Sequence, residues 1–465
     1  MIDTSDKQSR KLILFTTTLS AFMTAFMGSS INVALPVIGK EFNVSAVLLS
    51  WFATSYLLTS AVFLIPVGKL SDMYGRVKFF KIGISVFTLG SFLCGISASA
   101  ELLLVCRALQ GMGASMIFTT STAILVSAFE PKERGKVLGI NVAAVYTGLS
   151  TGPFIGGIIT QSFGWRYIFY GNLVLGIILM VLIYYKYNFE WKEEDGQKFD
   201  SPGSVIYVLS LVALMLGFSY VPSVSGFILL AAGFTGMYLF FNYERKIPNA
   251  VFNARLFLSN RTFTFSNIAA LINYSATFAI SFLMSLYLQN VKLLSPKDAG
   301  IILVTQPLMQ ALFSPLTGRL SDKYEPGYVA SAGMALITAG LFLFAFLTPD
   351  FPYYLIVINL AVMGIGFALF SSPNMNAIMG AVERKYYGVA SSTLASMRLI
   401  GQMFSMGIVM VLFSVFIGKA EISPEMSGAF LTSARIAFAL FSFLCLIGIF
   451  ASVSRGKVHK ISAKN

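Results

Sequence analysis

The feature that most constrains this chain is a set of fourteen long apolar runs, roughly 12–35, 45–67, 79–98, 101–128, 137–160, 165–186, 202–220, 224–243, 262–290, 297–318, 328–347, 352–378, 388–417 and 428–453. Each approaches or exceeds the ~20 residues that cross a bilayer as a helix. A membrane β-barrel would instead show ~10-residue segments of alternating polarity. Only 11% of residues are charged, against about 25% in soluble proteins, so no water-soluble globule can be built. The fold class is therefore all-α integral membrane, with 14 transmembrane helices. The first run is followed by thirteen like it and has no small-x-small cleavage site, so it reads as a span and not as a signal peptide.

The charges orient the bundle. Fourteen is even, so both termini share a side. With that side cytoplasmic, inner segments hold 25 Lys and Arg, and outer loops hold 5: Lys40, Arg166, Lys292, Lys297 and Lys419. The excess places both termini in the cytoplasm of a plasma membrane. It also explains the net charge of +13 by topology, with no nucleic-acid partner needed; the expected partner is the lipid bilayer.

An internal repeat follows. Gly68-Lys-Leu-Ser-Asp72 recurs as Gly318-Arg-Leu-Ser-Asp322, and Glu133-Arg134 recurs as Glu383-Arg384, both at an offset of 250. The first and ninth spans begin with the same offset. Two six-helix pseudo-symmetric halves are expected at 1–186 and 262–465. Between them, 187–261 supplies a linker, an inserted helix pair and a following loop. Parallel halves of this kind are a transporter plan.

Chemistry-bearing residues are few. The single histidine, His459, and three scattered cysteines, Cys94, Cys106 and Cys445, exclude a His- or Cys-based metal or catalytic centre. No enzyme activity, metal or cofactor is expected. No Gly-x-x-x-x-Gly-Lys-Ser/Thr loop is present, so ATP is not the driver. Three full charges fall within spans, Arg107, Arg398 and Arg435; such charges are costly in lipid and should face the interior. In the fifth span Gly148, Gly152 and Gly156 recur every four residues beside Pro153 and Gly157, a smooth face for close helix contact.

On these residues the chain resembles the major facilitator superfamily, in its fourteen-helix drug:proton antiporter branch. The stretch Gly68–Lys78, with Asp72, Gly75 and Arg76, resembles the superfamily's signature loop. Arg107 with Gln110-Gly111 resembles the fourth-helix motif. Gly139, Gly148, Gly152-Pro153 and Gly156-Gly157 resemble the fifth-helix antiporter motif. Ser29–Pro36 and Gly388-Val-Ala-Ser-Ser with Arg398 and Gly401 are similar to first- and thirteenth-helix patterns of the branch. The resemblance implies export of amphipathic small molecules by alternating access, driven by protons, from a monomer. It also implies a gate at Gly68, Asp72, Gly75, Arg76 and Asp322, and a central cavity between spans one, four, nine and twelve, backed by two, five, ten and thirteen. Candidate lining residues are Phe22, Met23, Phe26, Met27, Gln110, Tyr146, Asn273, Tyr274, Gln306, Gln310, Asn374 and Asn376.

One departure matters. The branch's first-helix motif normally carries an Asp five residues before its Asn, and here Met27 stands there. Every one of the 20 acids belongs to a tail, a loop or a span end. An exporter of lipophilic cations wants an intramembrane acid, which both titrates and pairs with cargo. The alternative is an exporter or exchanger of a neutral, zwitterionic or anionic metabolite. If a side chain carries the proton, Glu101 is the candidate, since its nearest basic neighbour, Arg107, is six residues on.

Overall fold

The computed structural model describes residues 7–192, 198–247, 250–383, 386–418, 420–422 and 424–456. Arg384, Lys419 and His459 lie outside the described residues. Among these, fourteen helices are long and apolar enough to cross a membrane: α1 Gln8–Phe42, α2 Ala46–Tyr74, α3 Arg76–Gly95, α4 Ala100–Ala128, α5 Lys136–Ser162, α6 Arg166–Lys186, α7 Ser201–Tyr220, α8 Val224–Glu244, α9 Arg261–Val291, α10 Pro296–Lys323, α11 Pro326–Phe344, α12 Tyr353–Gly380, α13 Tyr387–Phe416 and α14 Ser427–Val453.

Helix contacts repeat between α1–α6 and α9–α14. α1 packs on α5 as α9 packs on α13; α4 packs on α2 and α3 as α12 packs on α10 and α11; α6 packs on α3 as α14 packs on α11. Glycine makes these approaches close. A Cβ on Gly113 of α4 would lie 2.9 Å from the Gly83 oxygen of α3, and one on Gly366 of α12 would lie 2.8 Å from the Gly333 oxygen of α11. Without hydrophobic drive between helices in lipid, such small-residue contacts supply the packing.

Two spans are interrupted. α10 breaks at Val304, because Pro307 cannot donate to the Leu303 carbonyl one turn back. α9 breaks at Phe278 without a proline. There the Ala279 amide bonds the Ser405 hydroxyl of α13 at 3.0 Å, a side chain inserted into the helical ladder. α9 then ends in a π-helical turn, Tyr287–Val291.

The first and second sets of helices meet along two seams, α2 with α13 and α5 with α10. Among the described residues, three hydrogen bonds cross near the end away from the basic loops: Gln289 Nε2 to the Val33 oxygen at 2.9 Å, the Lys297 amide to Gln161 Oε1 at 3.3 Å, and the Ala46 amide to the Ala420 oxygen at 3.2 Å. There Gly157 also presses on the Pro296 oxygen of α10, 2.5 Å from a Cβ built on it. Towards the basic end Gly139, Gly318 and Gly388 face open space. The pair α7–α8 covers the α2–α13 seam through α7, which touches both, while α8 rests mainly on α7.

Candidate substrate site

The expected signature loop is helix over most of its length. Residues Gly68 to Tyr74 form the last two turns of α2, and the reversal is confined to Gly75. Polar side chains end the apolar run without ending the helix, because leaving the membrane does not break backbone hydrogen bonds. Gly75 has φ +125°, a region open to glycine, and a Cβ there would strike the Glu190 side chain. Around this turn Asp72 Oδ1 accepts from Arg76 Nε at 2.7 Å, and Arg76 Nη1 donates to Ser127 of α4 at 2.7 Å. Arg76 is buried, so the pair ties α2, α3 and α4 together. Glu190 accepts from the Val77 and Lys78 amides at 2.7 and 2.8 Å, placing a carboxylate on the positive end of α3. The Arg76 amide bonds the Trp191 oxygen at 3.1 Å. Beside this segment Tyr187 is buried against Thr16, and burial pushes its hydroxyl pKa up. In the repeat Asp322 is exposed, and Glu325-Pro326 stands where the first copy has Gly75-Arg76.

The glycines of α5 divide between two neighbours. Gly148 lies against α1: a Cβ would be 2.6 Å from the Phe22 oxygen and 2.9 Å from the Phe26 nitrogen. Gly152 meets Ser29 and the Ser30 amide, and Gly156 meets Ser30. Gly157 and Pro153 face α10 instead, at Pro296 and Gly300. Gly139 touches neither.

The three arginines differ. Arg107 is 1% exposed. Its Nε donates to the Phe52 oxygen at 3.1 Å, its Nη1 to Gln110 Oε1, and it stacks 4.4 Å above Tyr56. Gln110 continues to Ser91 of α3 at 2.7 Å. Arg435 donates to the Leu347 oxygen. Both therefore fasten helices within one set. Arg398 is half-buried and stands 5.7 Å over the Phe118 ring of α4, so it looks across to the other set. Among the described residues no hydrogen bond or ion pair reaches its guanidinium. Tyr146 of α5 and Arg398 both bear electrostatically on the Tyr274 hydroxyl of α9, and Arg398 bears on Tyr56 as well. Arg398 of α13 therefore stands against Phe118 of α4, and Tyr274 of α9 packs on α13 at Gly401, one helical turn from Arg398. Phe118 was missing from the sequence candidates; only its register on α4 could have flagged it.

The other candidates are held as follows. Phe22 stacks on Phe26 at 5.9 Å, and Met23 and Met27 are fully covered. Gln306 and Gln310 are half-buried on α10. Asn273 is fully buried with neither amide atom bonded, a polar group held without a partner. Asn374 bonds Arg455 and the Ser266 oxygen at 3.0 and 3.2 Å, and Asn376 bonds Ser321 at 2.7 Å; both tie helices at the basic end. Burial lowers the Arg455 guanidinium to about 10, with Glu325 acting against the shift. Glu101 is exposed in the first turn of α4.

A family model described as Major Facilitator Superfamily matches residues 17–256 and 267–464. The chain belongs to the major facilitator superfamily. Its fourteen spans fit the fourteen-helix branch of that superfamily. It is 31% identical to the riboflavin transporter RibZ of Clostridioides difficile (strain 630), over 95% of this chain and 96% of that protein. It is 30% identical to the multidrug resistance protein Stp of Mycobacterium tuberculosis (strain CDC 1551 / Oshkosh), over 91% and 79%. Identity is also 30% with multidrug resistance protein 3 of Bacillus subtilis (strain 168), over 86% and 78%. The fold resembles the crystal structure of a bacterial homolog of the human lysosomal transporter Spinster, in an inward-facing, unoccupied conformation (TM-score 0.71, 16% identity, 97% of this chain and 98% of that one). As a superfamily member the protein is a multi-pass membrane transporter of the secondary type.

Proposed function

We propose that the protein exports amphipathic, aromatic small molecules of neutral or anionic character across the plasma membrane, by alternating access coupled to protons. Both termini then face the cytoplasm, the protein acts as a monomer, and the arrangement described here is the state open to the cytoplasm, closed at its outer end by α5, α10 and the Gln289–Val33 contact. The observation that carries the charge preference is Arg398: a guanidinium between the two sets of helices, with the Phe118 ring against it and no acceptor among the described residues. A cargo carboxylate or carbonyl supplies that acceptor, since hydrogen bonds to charged groups contribute about 1.5–3 kcal/mol. Tyr146, Tyr274 and Phe118 supply faces for a planar ring system. Multidrug resistance relatives support broad efflux; the riboflavin transporter favours a second reading, a single planar metabolite.

Uptake into inverted membrane vesicles tests this, with and without a pH gradient, for one aromatic scaffold carrying an ammonium, a zwitterion, or a carboxylate. Gradient-driven uptake of the carboxylate or zwitterion above the ammonium is expected. Uptake of the ammonium alone would sink the charge preference, and equal rates without a gradient would sink the coupling.

A further inference from the structure

The hairpin α7–α8 carries a feature that neither the gate nor the central site uses. Asp200 caps α7, its Oδ1 accepting from the Gly203 amide at 3.0 Å and from the Tyr243 hydroxyl at 3.4 Å. Glu244 closes α8, its Oε2 accepting from the Phe252 amide at 2.8 Å. Asp200 is 7% exposed and Glu244 1%. Each keeps one oxygen without a hydrogen-bond donor, Asp200 Oδ2 and Glu244 Oε1. These two oxygens stand close together: a Cβ on Gly203 would lie against both Asp200 Oδ2 and Glu244 Oε1. Two ionised carboxylates this close and this buried repel strongly with no water to screen them. One proton between the orphaned oxygens turns both into bonded groups.

The groups that bear on Glu244 are Asp200 and the Val251 and Phe252 amides. Tyr243 supplies a neutral hydroxyl. Lys198, Arg245, Lys246 and Arg255 of the adjoining segments are exposed, and Arg255 donates to the Arg245 oxygen. Among the described residues no lysine or arginine pairs with either carboxyl. A Ca²⁺ or Mg²⁺ ion would want about six oxygens, whereas a proton needs only the two on hand.

We propose that Asp200 and Glu244 together form a proton-binding site at the base of the hairpin, and that the bound proton clasps the segment at Phe252, which runs on towards α9, against α7 and α8. The site has leverage because α7 rests on both sets of helices. Tyr207 donates to the Ala61 oxygen of α2 at 3.0 Å, and Phe218 packs on Phe404 of α13 at 5.9 Å. The sign is fixed by the geometry. The clasp holds while the proton is bound and opens as pH rises and removes it.

The test uses the full-length protein in lipid nanodiscs. Infrared difference spectra of wild type against Asp200→Asn and against Glu244→Gln should show one protonated-carboxyl band in wild type, shifted by D2O, lost in both variants and lost from wild type at high pH. Amide exchange at Phe252, corrected for intrinsic rate, should lose protection above that titration by roughly tenfold per pH unit, the slope of a one-proton linkage. In Asp200→Asn the carboxamide donates permanently, so protection should not fall. If no such band exists in wild type, or it survives in both variants, there is no shared proton. If added Mg²⁺ or Ca²⁺ at neutral pH erases the wild-type band, the pair is a metal site instead. If Asp200→Asn loses Phe252 protection with pH as wild type does, the proton does not hold the clasp. Should a variant fail to fold, the wild-type band and its pH dependence still decide.

Discussion

Replacing Gly148 by leucine tests how α5 bears on α1. A Cβ at that position comes within 2.6 Å of the Phe22 oxygen, 2.9 Å of the Phe26 nitrogen and 3.1 Å of the Ala25 Cβ. Two of these three atoms are backbone, so no side chain can swing aside. Even alanine forces α1 and α5 apart, and leucine adds three further carbons into the same gap. Overpacking of this kind costs about 1–3 kcal/mol, with alanine at the lower end and leucine at or above the upper. Gly139 is the internal control, because it lies on the same helix in open space. Thermal unfolding of purified protein should rank wild type close to Gly139→Leu, then Gly148→Ala, then Gly148→Leu. Transport by Gly148→Leu should fall for every substrate together, because the damage lies in helix packing. A Gly148→Leu protein as stable and active as wild type would refute the close contact. Loss of a single substrate would mean that this face lines the pocket.

Other outcomes follow from the same reasoning. Arg107→Leu leaves the Phe52 oxygen and Gln110 short of their donor, and each unsatisfied buried group costs about 1–3 kcal/mol; thermal unfolding should show that loss, while the ranking of substrates stays unchanged. Asp72→Asn removes the negative partner of buried Arg76 and should lower turnover more than substrate binding, read as Vmax against KM in vesicles; unchanged turnover at normal expression would exclude a gating role. Glu101→Gln separates two routes for the proton: loss of gradient-driven uptake with intact substrate exchange assigns the proton to Glu101, whereas both activities intact leave it to the cargo or to exchange.

The fourteen spans were legible because a helix in lipid must satisfy its backbone internally and present apolar side chains throughout. Their ends were less so. α2 and α10 run on through Gly68–Tyr74 and Gly318–Lys323, since a polar stretch reads as a loop although nothing in it stops a helix. The break in α10 has a readable cause in Pro307. The break in α9 has none, because it depends on Ser405, 126 residues away. Glycine spacing on α5 announced a contact face, yet could not say that Gly148 and Gly157 serve different neighbours. The arginines show the limit most clearly. Arg107, Arg398 and Arg435 look alike as single charges in apolar runs. What separates them is whether a carbonyl oxygen stands within reach, and that is a property of the packed bundle. The Glu190 cap on α3 was hidden for the same reason, an acid in a charged linker whose partners are backbone amides more than a hundred residues earlier.

The role proposed for Arg398 is to set the charge preference of the cavity. It is tested most directly by equilibrium binding of one planar aromatic scaffold, bearing a carboxylate, no charge or an ammonium, to wild type and to Arg398→Gln in nanodiscs at neutral pH. Wild type should prefer the carboxylate to the ammonium, and the variant should lose that preference. The carboxylate should weaken by about tenfold or more, as loss of a charged hydrogen bond of about 1.5–3 kcal/mol requires, while the neutral ligand changes far less. Tightest binding of the ammonium by wild type, or a carboxylate affinity untouched by Arg398→Gln, would contradict it.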